Sequence, residues 1–382
     1  MLLTLTNEPR DYAWGSTSLL AALEGREPSD GPEAEVWFGD HPADPADVTG
    51  GGTLDAVTGG SLPYLLKLLA ADRPLSIQVH PTRDQARDGF ARESGMDAGD
   101  PRRNYRDANH KPELIVALSD RFEALAGLRP VSETLRMLAG FSDAPGVIEL
   151  RDRLAAGGAE DALRDTIGWL LSGSAQDAVD DVIGALGDAE SGGFDEVLAA
   201  VRTIAARNPG DPGVVVALLM NFIVLHPGEA IFLSAGLLHA YVSGLGVEIM
   251  AASDNVLRGG LTPKHIDVRE LLAIVDTRPG EVPVQSATGA VTAYEIPVPD
   301  FALRLIRLDG GEQWIRVSGP AMALSTAGTI RVGTRDGESA VAPVGSAVFA
   351  PADVEELVLT GAGEVFIAEP GAATRRRTSN EL

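Results

Sequence analysis

An internal similarity narrows the fold more than any other feature of the chain. Gly228-Glu-Ala-Ile-Phe-Leu-Ser-Ala-Gly-Leu-Leu-His-Ala-Tyr-Val-Ser-Gly244 aligns without gaps on Gly345-Ser-Ala-Val-Phe-Ala-Pro-Ala-Asp-Val-Glu-Glu-Leu-Val-Leu-Thr-Gly361, with identities at Gly228/Gly345, Ala230/Ala347, Phe232/Phe349, Ala235/Ala352 and Gly244/Gly361. Each copy reads as strand, turn, strand, because apolar runs are broken by Ser-Ala-Gly or Pro-Ala-Asp. Two related β-barrels follow, one in the middle of the chain and one at its C-terminal end. His239 falls opposite Glu356, so the second copy lacks the histidine. At 382 residues the chain exceeds one ordinary core, and two or three domains are expected.

Texture divides the rest. To about Leu118 the chain reads as strands punctuated by Gly50-Gly51-Gly52 and Gly59-Gly60. From about Val131 to Arg207, Ser132 to Leu138, Val147 to Leu154, Asp161 to Leu171 and Phe194 to Ala206 carry apolar residues at helical spacing. Asp211 is a candidate N-cap, with Pro212 in the first turn of a helix running to about Leu225. Strand texture returns at Glu229. The expected architecture is mainly β: a catalytic barrel from residues 1–120 and 208–273, an inserted helical domain at 121–207, and a smaller C-terminal β domain at 274–382. The polar end from Arg375-Arg376-Arg377 reads as solvated.

Composition limits the chemistry. With no cysteine, disulfides, thiolate metal sites and thiol catalysis are excluded, and any metal must take nitrogen and oxygen ligands. A net charge of -24 opposes nucleic acid and anionic membrane. An anionic substrate would need a local cluster of Lys and Arg. No basic, then apolar, leader opens the chain, and Val214 to Leu225 is too short to span a bilayer, so a soluble cytoplasmic protein is expected.

Three stretches carry candidate ligands. In Ser76-Ile-Gln-Val-His-Pro81, strand alternation puts Ser76, Gln78 and His80 on one face, with Ile77 and Val79 on the other. The apolar pair suits a core and the polar trio a barrel lumen. In Asn109-His-Lys-Pro-Glu-Leu114, Lys111 and Glu113 share a face. A carboxylate ligand beside a lysine suits metal-assisted proton transfer, with metal charge and burial lowering the lysine pKa. His239 follows a turn and shares a face with Leu237 and Tyr241. Each motif alone is more often a polar strand face, a surface ion pair or a structural histidine. Together they give two imidazoles, an amide and a carboxylate, a set that suits zinc. The loop from Glu248 through Asp254, Arg258 and Lys264 adds two cations to a very acidic chain.

Leu62-Pro-Tyr-Leu-Leu-Lys67, Ser76 to Pro81, Asn109 to Glu113, Gly228-Glu-Ala-Ile-Phe232 and Met250-Ala-Ala-Ser-Asp-Asn-Val-Leu-Arg258-Gly-Gly-Leu-Thr-Pro-Lys264 resemble the type I mannose-6-phosphate isomerase family, as do Tyr12-Ala-Trp-Gly15 and Glu35-Val-Trp-Phe-Gly39. The match runs with gaps from about residue 1 to 273. It departs mildly at Gly260, often Ala in the family, and at His265, more often aromatic. The resemblance implies a cupin-type jelly-roll barrel interrupted by a helical domain and followed by a second, smaller cupin-like β domain. It implies one zinc ion held by Gln78, His80, Glu113 and His239. It also implies interconversion of mannose 6-phosphate and fructose 6-phosphate, feeding mannose-nucleotide synthesis.

The expected mechanism moves a proton between C1 and C2 through an enediol(ate). Lys111 is the favoured base, with Glu248 or a metal-bound water as runner-up. By resemblance, His110, Asp254 and Arg258 are candidates for ring opening and for holding hydroxyls. Lys67, Ser76, Arg258 and Lys264 form the pool of phosphate donors, and Trp14 joins the substrate contacts. The expected partner is a sugar phosphate, and the expected state a monomer. An iron-dependent cupin oxygenase and a non-catalytic sugar-phosphate sensor are the alternatives. Lys111 and the cationic loop argue against the first, and the full ligand set against the second.

Overall fold

A computed structural model describes residues 1–371 of the protein, and Arg375-Arg376-Arg377 lies outside them. The first β unit is organised around one long strand, His239–Ala251. Its first residues pair with Ile77–Val79 and with Phe122–Leu128. Its later residues pair with Tyr64–Ala71 on one side and Glu113–Ala117 on the other. Further strands extend this antiparallel sheet: Glu35–Phe38 beside Tyr64–Ala71, Ala230–Leu233 beside Glu113–Ala117, and Leu257–Gly260 beside Ile77–Val79. The long strand changes partners at Gly244, whose φ of 120° and close approach to Phe122 only glycine tolerates: a Cβ there would lie 2.8 Å from the Phe122 Cα.

The second copy repeats the plan. Ala347–Ala350 and Glu356–Glu369 match Ala230–Leu233 and His239–Ala251, and His239 and Glu356 each open the long strand of their copy. Gly361, the counterpart of Gly244, has a φ of 118°. Glu356 pairs with Arg335, and Ile306, Ile330, Val348, Leu357 and Val365 form an apolar core within this unit. The strand Leu3–Thr6 joins the C-terminal sheet by pairing with Ala347–Ala350. Leu66, Leu68 and Leu114 share a buried cluster with Leu5, Leu303, Phe349 and Phe366, so the two β units meet across a common hydrophobic core.

Helices occupy Val131–Leu138, Pro145–Ala155, Ala159–Leu171, Gln176–Leu186 and Asp195–Arg207, as their spacing anticipates for all but Gln176–Leu186, which the sequence reading did not single out. The expected helix to Leu225 is shorter. Gly213–Leu219 is helical and buried throughout, after which Met220–Leu225 becomes a strand paired with Phe122–Leu128. That pairing supplies the hydrogen bonds a helical continuation would have made, and Phe222, Ile223 and Val224 suit a strand. The buried Arg129 donates to the Leu218 and Met220 carbonyls at this junction. Short helices Leu19–Glu24, Leu54–Thr58 and Arg83–Arg92 lie within the stretch read as strands and turns. Among the described residues, no helix is long and apolar enough to cross a membrane.

Candidate active site

Strand alternation works as the sequence anticipates. Ile77 and Val79 are fully buried in the core shared with the helical insert, which turns Gln78 and His80 to the opposite face. His239 pairs directly across from Gln78. Glu113 opens its strand opposite Met250 and Leu233. These elements bring His80 Nε2 to 3.3 Å from one Glu113 oxygen and His239 Nε2 to 3.4 Å from the other. The candidate donor atoms of the three residues all lie within 4.8 Å of one another.

The remaining ring nitrogens fix the tautomers. His80 Nδ1 donates to the Asn255 carbonyl at 2.8 Å and His239 Nδ1 to the Leu237 carbonyl at 3.0 Å, so both Nε2 lone pairs face inward. His80 Nε2 is buried without a hydrogen-bond partner. Burial pushes the His80 imidazole down to about 4, which keeps it neutral. Burial opposes ionisation of Glu113, but the Lys111 charge and the neighbouring histidines outweigh it and hold the carboxyl well below its usual range. Two imidazoles and an ionised carboxylate crowded this closely form a nitrogen and oxygen donor set that suits a shared divalent cation.

A cavity of about 550 Å³ opens on this cluster. Lys111 Nζ borders it, 3.0 Å from Glu113 Oε1. On the adjoining wall Lys67 stands between Trp37 and Glu248 in cross-strand register. Its Nζ lies 3.1 Å from Glu248, 3.6 Å from Glu35 and 5.3 Å from the centre of the Trp37 ring. Trp37 Nε1 donates to Glu35 at 2.7 Å and the Tyr241 hydroxyl to Glu248 at 2.8 Å. Burial pulls the Lys67 ammonium down, but Glu35, Glu248 and Glu113 outweigh it, so it stays charged. Glu248 is raised, because burial with the charges of Glu113 and Glu35 exceeds the pull of Lys67 and Lys111.

Trp14, Ser76, Asp254, Arg258 and Lys264 also line the cavity. Arg258 pairs across from Gln78 in backbone register. Neither Arg258 nor Lys264 forms an ion pair with a carboxylate among the described residues, and burial followed by a neighbouring arginine lowers both. His41 Nδ1 accepts from the Ala43 amide, so its Nε2 donates to Asp254, 3.1 and 3.2 Å from the two oxygens. The loop from Leu261 to Lys264 is held by Asp211, which accepts from the Leu261 and Thr262 amides and also from Gly213, at the helix start where it was expected as a cap. Leu261 has a φ of 57°, and among the described residues it is the one non-glycine with positive φ, a strain located beside the cationic loop. Gly260 belongs to the same tight corner: its φ is 128° and a Cβ would lie 2.3 Å from the Gly213 Cα.

His110 stands apart from the other candidates. It does not line the cavity; its Nε2 reaches Asp300 at 2.8 Å. In the other direction, Glu35, Trp37, Tyr241 and His41 belong to the site's surroundings without a role expected from their motifs. Alternation in Glu35-Val-Trp-Phe38 could have found the first two, since Val36 and Phe38 are core residues and leave Glu35 and Trp37 on the cavity face.

The family model described as "Phosphomannose isomerase type I, catalytic domain" matches residues 2–131. The mannose-6-phosphate isomerase of Salmonella typhimurium is 37% identical, covering 94% of this chain and 97% of the relative. That of Escherichia coli K12 is 34% identical over the same shares. A crystal structure of a mannose 6-phosphate isomerase bound with zinc and yttrium superposes with a TM-score of 0.86 at 32% identity, covering 97% of this chain and 100% of that one. With relatives above 30% identity matched nearly end to end, the chain belongs to the type I mannose-6-phosphate isomerase family.

Proposed function

We propose that the protein interconverts mannose 6-phosphate and fructose 6-phosphate by proton transfer through an enediol(ate). The observation that carries this reading is the cluster of His80 with Glu113 and His239, the latter two lining one cavity with Lys111, whose wall also bears Arg258 and Lys264 without a carboxylate partner among the described residues. Gln78, His80, Glu113 and His239 would hold a zinc ion. When bound, that ion supplies Lewis-acid polarisation of the C1 and C2 oxygens and offsets charge that develops on them.

The chain's own groups do the rest. Lys111 Nζ carries the proton between C1 and C2. Glu248 is less available for that task, because one oxygen accepts from Lys67 and the other from Tyr241. Prior engagement likewise separates the cations. Lys67 is already engaged by two carboxylates, whereas Arg258 and Lys264 retain their donors for a dianionic phosphate. Ser76 and Trp14 line the substrate's path, and Asp254, oriented by His41, holds a sugar hydroxyl. The proposed setting is a cytoplasmic monomer supplying mannose-nucleotide synthesis.

A coupled assay for fructose 6-phosphate formed from mannose 6-phosphate tests this. Turnover by zinc-loaded protein is expected. No turnover, together with oxygen consumption by iron-loaded protein, would favour the oxygenase instead.

A further inference from the structure

The C-terminal β unit has no histidine at the position matching His239, and its interior is apolar. One of its side chains nevertheless reaches the catalytic segments. Asp300 is 7% exposed, and its two oxygens take different partners. Oδ1 accepts from Arg83 Nη2 at 2.7 Å and Oδ2 from His110 Nε2 at 2.8 Å. Arg83 Nη2 also lies 2.7 Å from His110 Nε2. That ring nitrogen can donate to Asp300 or accept from Arg83, and the carboxylate charge favours donation. We propose that Asp300 is a positioning residue for the isomerase site, acting through Arg83 and His110 on the two segments that carry His80, Lys111 and Glu113; this rests on the isomerase reading above.

Covalent geometry makes the link stiff. Arg83 begins the helix Arg83–Arg92, directly after Pro81 and the capping residue Thr82, whose side chain accepts from the Gln85 amide. His80 is therefore joined to Arg83 through a fixed-φ proline and a capped helix start. On the other segment Lys111 precedes Pro112, which restricts it to extended conformations, and Glu113 follows at once. A displacement of His110 is thus carried into Lys111 and Glu113 rather than absorbed. The far side of this loop is already pinned, since Asn255 Nδ2 donates to the Asp107 and Asn109 carbonyls. Asp300 fixes the near side. It is itself anchored by Phe301, whose ring is fully buried in the core shared by the two β units. Burial raises the Asp300 carboxyl, but His110 and Arg83 outweigh it, so the group is ionised and able to hold both partners.

The test compares Asp300→Ala, His110→Ala and the double variant in zinc-loaded protein, with Arg304→Ala as a control that breaks an ion pair to Glu369 inside the C-terminal unit. Asp300→Ala is expected to lower kcat about 10- to 100-fold, as misplacement of reacting groups does. KM should stay within about threefold and zinc at one per chain, because the loss concerns orientation rather than ground-state binding. The double variant should be clearly less impaired than the product of the two single effects, since Asp300 acts in part through His110. Arg304→Ala should lower the melting temperature and leave kcat unchanged. If Asp300→Ala fails to fold, Asp300→Asn, which keeps one acceptor oxygen but loses the charge, should show a lowered kcat with KM little changed. A melting temperature lowered with kcat intact, in whichever Asp300 variant folds, would reduce the contact to a structural tie and overturn the proposal. Full additivity with His110→Ala would overturn it as well. Absence of turnover in the unaltered protein would instead refute the isomerase reading.

Discussion

Replacing Lys67 with methionine isolates the electrostatics of the cavity wall. The side chain keeps its length and apolar stem but loses the charge that compensates Glu35 and Glu248, both of them buried. At separations of 3.6 and 3.1 Å, Coulomb's law with an effective dielectric of about 20 gives roughly 5 kcal/mol for each contact. Removing the ammonium also recovers its own desolvation cost, so the net loss of stability should be about 3–5 kcal/mol, the range for breaking a buried ion pair on one side. The loss depends on pH. Glu248 already titrates above its ordinary value of 4.5, through burial and the charges of Glu113 and Glu35, and without Lys67 it rises further. A carboxyl that keeps its proton to higher pH in the folded chain than in the unfolded one binds the extra proton in the native state. Stability therefore falls as pH rises between the two values and returns in acid. Urea unfolding of Lys67→Met and the unaltered protein should give the largest difference near about pH 8 and a smaller one near about pH 5. A difference below about 1 kcal/mol, or one equal at both pH values, would refute the claim that Lys67 compensates two buried carboxylates.

The catalytic assignments yield further expectations. Lys111→Ala should lower kcat by about 10²- to 10⁴-fold with zinc content unchanged, and near-normal turnover in a zinc-replete variant would remove Lys111 as the proton carrier. A strong chelator should abolish activity and added zinc restore it; indifference to chelation would take the metal out of the reaction. Arg258→Ala should lower kcat far more than substitution of an exposed arginine such as Arg87, and an unchanged value would demote it to a structural role. Lys264→Ala should raise KM for mannose 6-phosphate with a smaller change in kcat, and steady-state kinetics showing KM unaltered would exclude it from the phosphate site.

Much of the site was legible because its signals are local. Period-two alternation in Ile77–Val79 separates core from cavity, and the same rule relates Lys111 to Glu113. The matched copies announce two β units, down to the glycines at Gly244 and Gly361. What escaped depends on distant partners. Met220–Leu225 carries an apolar run that could continue the preceding helix, and only pairing with Phe122–Leu128 decides for a strand. No spacing rule links His110 to Asp300, since the two meet only after the β units dock. Gln78 is half legible in another sense: alternation and register support it opposite His239, while its amide nitrogen donates to Ser76 at 3.3 Å.

The pairing of Leu3–Thr6 with Ala347–Ala350 also sets an order of events during synthesis. Leu5, fully buried in the finished molecule, leaves the ribosome long before the strand that covers it exists. Until then the first strand is an open edge carrying apolar side chains, the kind of surface that chaperones retain and that misassembles when translation stalls. Removing Leu3–Thr6 would therefore injure the far end of the chain, exposing Phe349 and Ala347.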